Sequence, residues 1–232
     1  MTANEPTLHR SRSAGRVLAL LDLVVTDGPL TLTELARRVE MATSTTLRHL
    51  HVLSDGGYVV KTEHGQYSVG PSFLRLSLSA FRAGPYADLT AAARPGLQRL
   101  VELTEESAYL AVRDGSEAVY IDTVEGTRAI RHVGWVGRSV PIAGTAVGDA
   151  LLSPVDGHNE EPTAVLNTGA IESDVTAVAA PIFGRDQVLG AFSILGPSDR
   201  LKGRHRSATA DAVAEIAGQT ARALRGSAWP GG

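Results

Sequence analysis

The 232-residue chain has no cysteine, which removes disulfide staples, thiolate nucleophiles and cysteine-ligated zinc or iron–sulfur centres from consideration. It has no run approaching 18 apolar residues, and its start, MTANEPTLHRSRS, lacks the apolar stretch of a signal peptide. A soluble, cytoplasmic protein with no membrane partner is therefore expected. An excess of positive charge is missing too. Net charge is −3, and residues 1–70 hold seven Arg or Lys against seven Asp or Glu, so any nucleic-acid function must rest on local geometry rather than bulk charge. The scattered histidines lack metal-ligand spacing, and Asp122 and Glu125 form no established acid–base pair, so no metal, cofactor or catalytic residue is assigned and the chain is not expected to be an enzyme. What is present is 43% hydrophobic and 20% charged residues, the composition of an ordered protein long enough for two domains with separate cores.

Residues 14–26 carry Val17, Leu18, Leu21 and Val24 at three- and four-residue intervals, which predicts a helix with one buried face, ended by Asp27-Gly28-Pro29. TLTELARRV follows, where Thr31 and Glu34 have the spacing of a capping box. A third helix is expected from about Thr43 to Asp55, with Leu47, Leu50 and Leu53 toward the core and Gly56-Gly57 as a left-handed stop. GYVVKT and GQYSVG, separated by Glu63-His64-Gly65, read as a β-hairpin. Helix, helix–turn–helix and hairpin is the winged-helix order. Pro71 then opens a helical segment whose Phe73, Leu74, Leu78 and Phe81 suit a connector packed against a partner, closed by Gly84-Pro85. The expected organisation is a flexible arm (1–12), a winged helix-turn-helix domain (13–70), a linker helix (71–84) and a second domain (85–226).

The second domain reads as a helix near 87–104, strands at 107–113, 118–124 and 129–134, and a helix near 145–152. VTAVAAPIF and QVLGAFSIL resume the sheet, and an alanine-rich helix occupies 205–225. Residues 153–173 have turn formers and little periodicity, so they read as a surface connection. The fold class is a two-domain α/β protein whose second part is sensor-like, with helices flanking a mostly antiparallel sheet.

The stretch MATSTTLRHL raises the functional question. Ser44 and Thr45 sit at the amino end of the third helix, where hydroxyls, free backbone N–H groups and the helix field can approach phosphate together. Arg48, one turn on, can reach a phosphate or the O6/N7 edge of guanine. Thr43 and His49 complete the candidate contacts on this helix, Lys61 and His64 offer a wing, and Arg10, Arg12 and Arg16 could extend the contact as an arm. From periodicity alone three readings stay open: DNA binding, a structural or protein-interaction module whose hydroxyls merely cap the helix, and catalysis. The last lacks an evident base and oxyanion site. In the second domain, Gly144, Thr145 and Ala146 begin a helix able to receive a carboxylate, Tyr109, Tyr120, His132 and Trp135 could line a small cavity, and Ser193 lies in the late strand. Packing alone explains the same residues.

EMATSTTLRHLHVLSDGGYVV followed by GQYSVG resembles the helix–turn–helix and wing of the IclR family of bacterial transcription regulators. The resemblance continues through SAGRVLALL, TEESAYLAVRDGSEAVYIDTVEG, VPIAGTAVGDALLS and VAAPIFGRDQVLGAFSILGPSDRL to the terminal helix. It implies a winged helix-turn-helix, a linker helix and a GAF-like effector domain, assembled as homodimers or tetramers on double-stranded operator DNA. The family's DNA-contacting serine–threonine pair and arginine match Ser44-Thr45 and Arg48, and its ligand-contacting positions match Gly144, Thr145, Ala146 and Ser193. The implied function is a repressor controlled by a small organic acid or aromatic effector. The alternatives are a regulator whose second domain only oligomerises, or a winged-helix protein-interaction module. Four departures stand out: Thr43 where relatives are often basic, Glu40 in place of the turn glycine, a shortened segment between Leu152 and Val175, and apolar Ala177 and Leu195 where polar residues are frequent.

Overall fold

A computed structural model describes residues 12–84, 86–155 and 161–226, and the chain divides after Gly84 into two compact units. Arg10 and most of the expected arm lie outside the described residues, as does the side chain of Arg12.

The first unit contains α1 (Arg12–Asp27), α2 (Leu32–Arg38), α3 (Thr43–Asp55), β1 (Val59–Lys61), β2 (Tyr67–Val69) and α4 (Pro71–Ala83). Its core joins Leu20 and Val24 of α1, Leu35 of α2, Leu50 and Leu53 of α3, and Val59 and Tyr67 of the hairpin. Leu20 takes the inward place expected of Leu18, which is exposed. The Thr31 capping box forms: its hydroxyl accepts from Glu34 N at 3.3 Å, and the Glu34 carboxylate accepts from Thr31 N at 2.8 Å. That backbone donor, with the Thr31 hydroxyl, holds the Glu34 pKa below its ordinary value. β1 and β2 pair antiparallel from Val59 opposite Val69 to Lys61 opposite Tyr67, and a bridge from Leu30 to Tyr67 ties the wing to the segment before α2. Gly65 turns the hairpin at φ +76°.

The second unit contains α5 (Ala87–Thr104), β3 (Ser107–Asp114), β4 (Glu117–Val124), β5 (Ser139–Pro141), α6 (Ala146–Leu151), β6 (Val165–Thr168), β7 (Val175–Phe183), β8 (Val188–Pro197) and α7 (Gly203–Gly226). The strands form one antiparallel sheet in the order β5-β4-β3-β8-β7-β6. Its central strands are buried on both faces, which is why they read as continuous apolar runs rather than as alternation. Leu110, Val178, Phe192 and Ile194 pack with Leu97 of α5 and Val213 and Ile216 of α7 on one face. Tyr109, Ala179, Ala191 and Leu195 face Val147 and Leu151 of α6 on the other.

Two expectations fail here. Residues 129–134 form no strand but belong to a long connection from β4 to β5, because Gly126, Gly134 and Gly137 punctuate it and the edge strand pairs later, at Ser139–Pro141. Part of the supposed surface connection is β6, which pairs with β7 from Val165 opposite Ala179 to Thr168 opposite Thr176. Among the described residues no helix is long and apolar enough to cross a membrane.

Candidate functional site

Helix α3 presents the first candidate site. Its N-cap is Ala42, whose side chain makes no capping bond, so the first-turn N–H groups are not taken by the neighbouring hydroxyls. Thr46 is buried and donates back to Ala42 O at 3.2 Å. Ser44 and Arg48 are exposed and Thr45 is half-buried. The inward face is Thr46, His49, Leu50 and Leu53, with Leu47 only partly covered.

His49, counted above among the DNA contacts, is 6% exposed, so it belongs to the core and is corrected to a packing residue. His51 replaces it. At seven residues from Ser44 and three from Arg48 it shares their outward stripe, and it is exposed, with Val52 beside it at 59%. The signal was the helical phase, readable once Thr46 rather than Leu47 is taken as the centre of the buried side. Thr43 and Arg16 are exposed on α3 and α1, and Lys61 and His64 on the wing, with the Lys61 ammonium 5.8 Å from the Tyr67 ring centroid.

A small cavity in the second unit is the other candidate. Tyr120, His132, Trp135, Thr145 and Ala146 line it, with Ala177 and Leu195 on its sheet side. Tyr109, Gly144 and Ser193 do not line it. Tyr109 stands behind His132, its hydroxyl donating to His132 O at 3.0 Å and lying 3.0 Å from His132 Nδ1. Four rings pack together: Tyr109 meets Tyr120 edge-on at 5.3 Å, Tyr120 meets Trp135 edge-on at 5.6 Å, and Trp135 lies tilted against His132 at 4.8 Å. Burial pushes the pKa of each tyrosine up to about 12 and pushes that of His132 down.

Ser193 is fully buried on the face of β8 that carries Ala191 and Leu195. It lies close enough to the Tyr120 phenol to hold its pKa down slightly, yet its Oγ completes no hydrogen bond within normal geometry. Gly144 sits at φ +77° and accepts through its carbonyl from Asn167 Nδ2 at 2.9 Å. Thr145 caps α6, accepting from Gly148 N at 3.2 Å and donating to Pro141 O at 2.8 Å. A Cβ on Gly148 would run into the Ile142 carbonyl, so α6 can approach β5 this closely only with glycine there. Asn167 and Glu172, which also line the cavity, come from β6 and the turn after it.

The β4–β5 connection that carries His132 and Trp135 is held from below. Glu106, 2% exposed, pairs bidentately with Arg200 at 2.5 and 2.7 Å, and Arg200 also donates to Ile130 O at 2.9 Å. Ser107 Oγ donates to His132 O at 2.6 Å. The cavity itself measures about 30 Å³, room for a water or two and far below the few hundred Å³ usual for ligand pockets. Among the described residues no group of three His, Asp or Glu could hold a metal ion.

A winged helix with an uncapped recognition-type helix, joined to an α/β unit with a small internal cavity, defines a DNA-binding transcription regulator. Comparison with known proteins gives the family. Residues 13–63 match the IclR helix-turn-helix domain and residues 85–171 match the bacterial transcriptional regulator IclR C-terminal domain, together more than half of the chain. The chain belongs to the IclR family of transcription regulators. It is 29% identical over 239 residues to the HTH-type transcriptional regulator BhcR of Paracoccus denitrificans, covering 89% of this chain and 85% of that one. It is 30% identical over 169 residues to the transcriptional repressor IclR of Escherichia coli, covering 71% and 60% of the two chains. Among solved structures, an IclR homolog from Microbacterium hydrocarbonoxydans complexed with 4-hydroxybenzoate superposes with a TM-score of 0.74 at 21% identity, over 93% of this chain and 100% of that one.

Proposed function

We propose that the protein is a homodimeric, ligand-controlled repressor that reads operator DNA with the Ser44-Thr45-Arg48-His51 stripe of α3. The observation that carries this is the exposed stripe rising from an N-terminus that no side chain caps. Backbone N–H groups and hydroxyls there can take a phosphate while Arg48 reaches a base edge. Arg16, Thr43, Lys61 and His64 supply flanking backbone contacts in this reading. Two α3 helices in successive major grooves require a dimer. Helix α4 is suited to hold one: none of its residues is buried, and Leu74, Leu78 and Phe81, the last 61% exposed, lie three or four residues apart. No catalysis is assigned, and the site of action is the bacterial cytoplasm.

The cavity beneath α6 takes the effector. The 4-hydroxybenzoate bound by the Microbacterium homolog supports a small aromatic or organic acid as the first class to try. A second reading, in which the domain only oligomerises, is favoured by the cavity's size of about 30 Å³.

Selection of bound genomic fragments followed by mobility-shift titration tests the DNA-binding claim. Affinity should fall steeply and linearly on a log–log plot against salt. Arg48→Ala should lower affinity for the selected sequence far more than for random duplex. Unchanged affinity and specificity would remove α3 as the reading element.

A further inference from the structure

We propose that Val52 of α3 reads the C5-methyl group of a thymine in each operator half-site, close to the base edge met by Arg48. This rests on the reading of α3 as the DNA-contacting helix and adds one side chain and one base to it. The outward face of α3 is otherwise polar: Ser44, Arg48, His51 and Asp55 are exposed and Thr45 is half-buried. Val52 is the one large apolar side chain exposed on this helix, at 59%. The core of the first unit closes without it, through Leu50 and Leu53 on the inward side. Valine carries no side-chain donor or acceptor, so on a DNA-reading face it can distinguish bases only by an apolar contact. The thymine methyl is the apolar group that a base pair presents in the major groove, and it separates thymine from cytosine.

The helical phase places this contact. Val52 follows Thr45 by seven residues and Arg48 by four, so the three lie in one stripe along the helix. Four residues rise about 6 Å along the axis, and base pairs are spaced by roughly 3.4 Å, so the methyl lies about one or two base pairs from the Arg48 contact. Asp55, three residues beyond Val52, is exposed, and a carboxylate close to the phosphates is repelled. The helix therefore leaves the groove at that turn, and Val52 is the last side chain along it to reach the bases.

The test uses the full-length protein and the duplex recovered by selection of genomic fragments. Each thymine of one half-site is replaced in turn by deoxyuridine, which removes the methyl and keeps every hydrogen-bonding group. At one position wild-type affinity should fall about fourfold, the worth of one buried carbon of this size. Val52→Ala, a change at an exposed position that should keep the wild-type melting temperature, should bind the thymine and deoxyuridine duplexes equally. A C·G pair at the same position should weaken the wild type, and methylating that cytosine at C5 should recover about fourfold in the wild type and nothing in Val52→Ala. The guanine whose 7-deaza replacement weakens the wild type but not Arg48→Ala should lie at the spacing given by the helix rise; no such guanine, or a greater separation, overturns the pairing with Arg48. A deoxyuridine penalty that persists in Val52→Ala overturns the proposal, and where Thr45→Ser abolishes it the methyl belongs to Thr45. No penalty at any thymine overturns it as well. Both results leave α3 as the reading element as long as Arg48→Ala loses specificity, whereas sequence-independent binding by the wild type removes that reading and this proposal with it.

Discussion

Replacing Glu40 by glycine should stabilise the DNA-binding unit, and the reason is local. After α2, Met41 N donates to Ala36 O at 3.0 Å and Glu40 N to Arg37 O at 3.4 Å, the paired bonds of a Schellman motif. The motif needs a left-handed residue between them, and Glu40 fills that place at φ 52°. A side chain in this region costs roughly 1–2 kcal/mol. Glycine removes that cost but adds roughly 0.4–1 kcal/mol of unfolded-state freedom. The expected net gain is about 0.5–1 kcal/mol. For a domain of this size that corresponds to a rise of about 3–6 °C in melting temperature.

The assay must look at the right unit. Both tryptophans, Trp135 and Trp229, lie in the second part of the chain, so tryptophan fluorescence is blind to the change. Hydrogen exchange of the Leu35 and Leu50 amides, whose side chains are fully buried, reports on the first unit directly. Glu40→Gln separates backbone from charge, because it keeps the side chain in the left-handed region. It should leave stability nearly unchanged, while strengthening operator binding by removing a carboxylate just ahead of α3. Equal protection in the glycine variant and the wild type, or an equal gain from glutamine, would refute the backbone argument.

The two histidines of α3 should separate in the same assays: His51→Ala weakens operator binding several-fold without lowering stability, while His49→Ala destabilises the unit by about 1–3 kcal/mol through its buried vacancy. Ser193→Ala should raise the melting temperature of the unliganded second unit, because it deletes a buried hydroxyl that completes no hydrogen bond; a loss of about 1 kcal/mol or more would mean that the hydroxyl is paired after all. Burial lowers the folded-state pKa of His132 from 6.5, so the unfolded chain takes up its proton first as pH falls. Stability should therefore be flat above about pH 6.5 and decline below it until the folded-state value is reached. Melts followed at Trp135 should show this slope, and His132→Asn should flatten it.

How much of this could be read from the chain depends on how far apart the cooperating residues lie. The capping box holds both partners within four residues, Thr31 to Glu34, and it forms as its spacing predicts. Helix α3 needed one more piece of information. Its bounds are local, but its rotation is set by Leu20 and Val24 of α1, which gather Thr46, His49, Leu50 and Leu53 inward. The leucine spacing alone places His49 outward, whereas the full inward set buries it and leaves His51 exposed. Ile130 and Val133 have β-branched chemistry but no partner strand at their register, so the expected strand dissolved into a connection held by Arg200.

The cavity is the hardest case, since Tyr120, His132, Thr145, Asn167 and Leu195 reach it from five segments spread over most of the second unit. No periodicity links Asn167 or Glu172 to the others. What brings them in is the pairing of β6 with β7, which a segment rich in turn formers concealed. A DNA-reading face can be traced by phase along one helix, but the charge of a cavity is decided by whichever distant residue completes its wall. Here that residue is Glu172, the one carboxylate among the described residues of the lining.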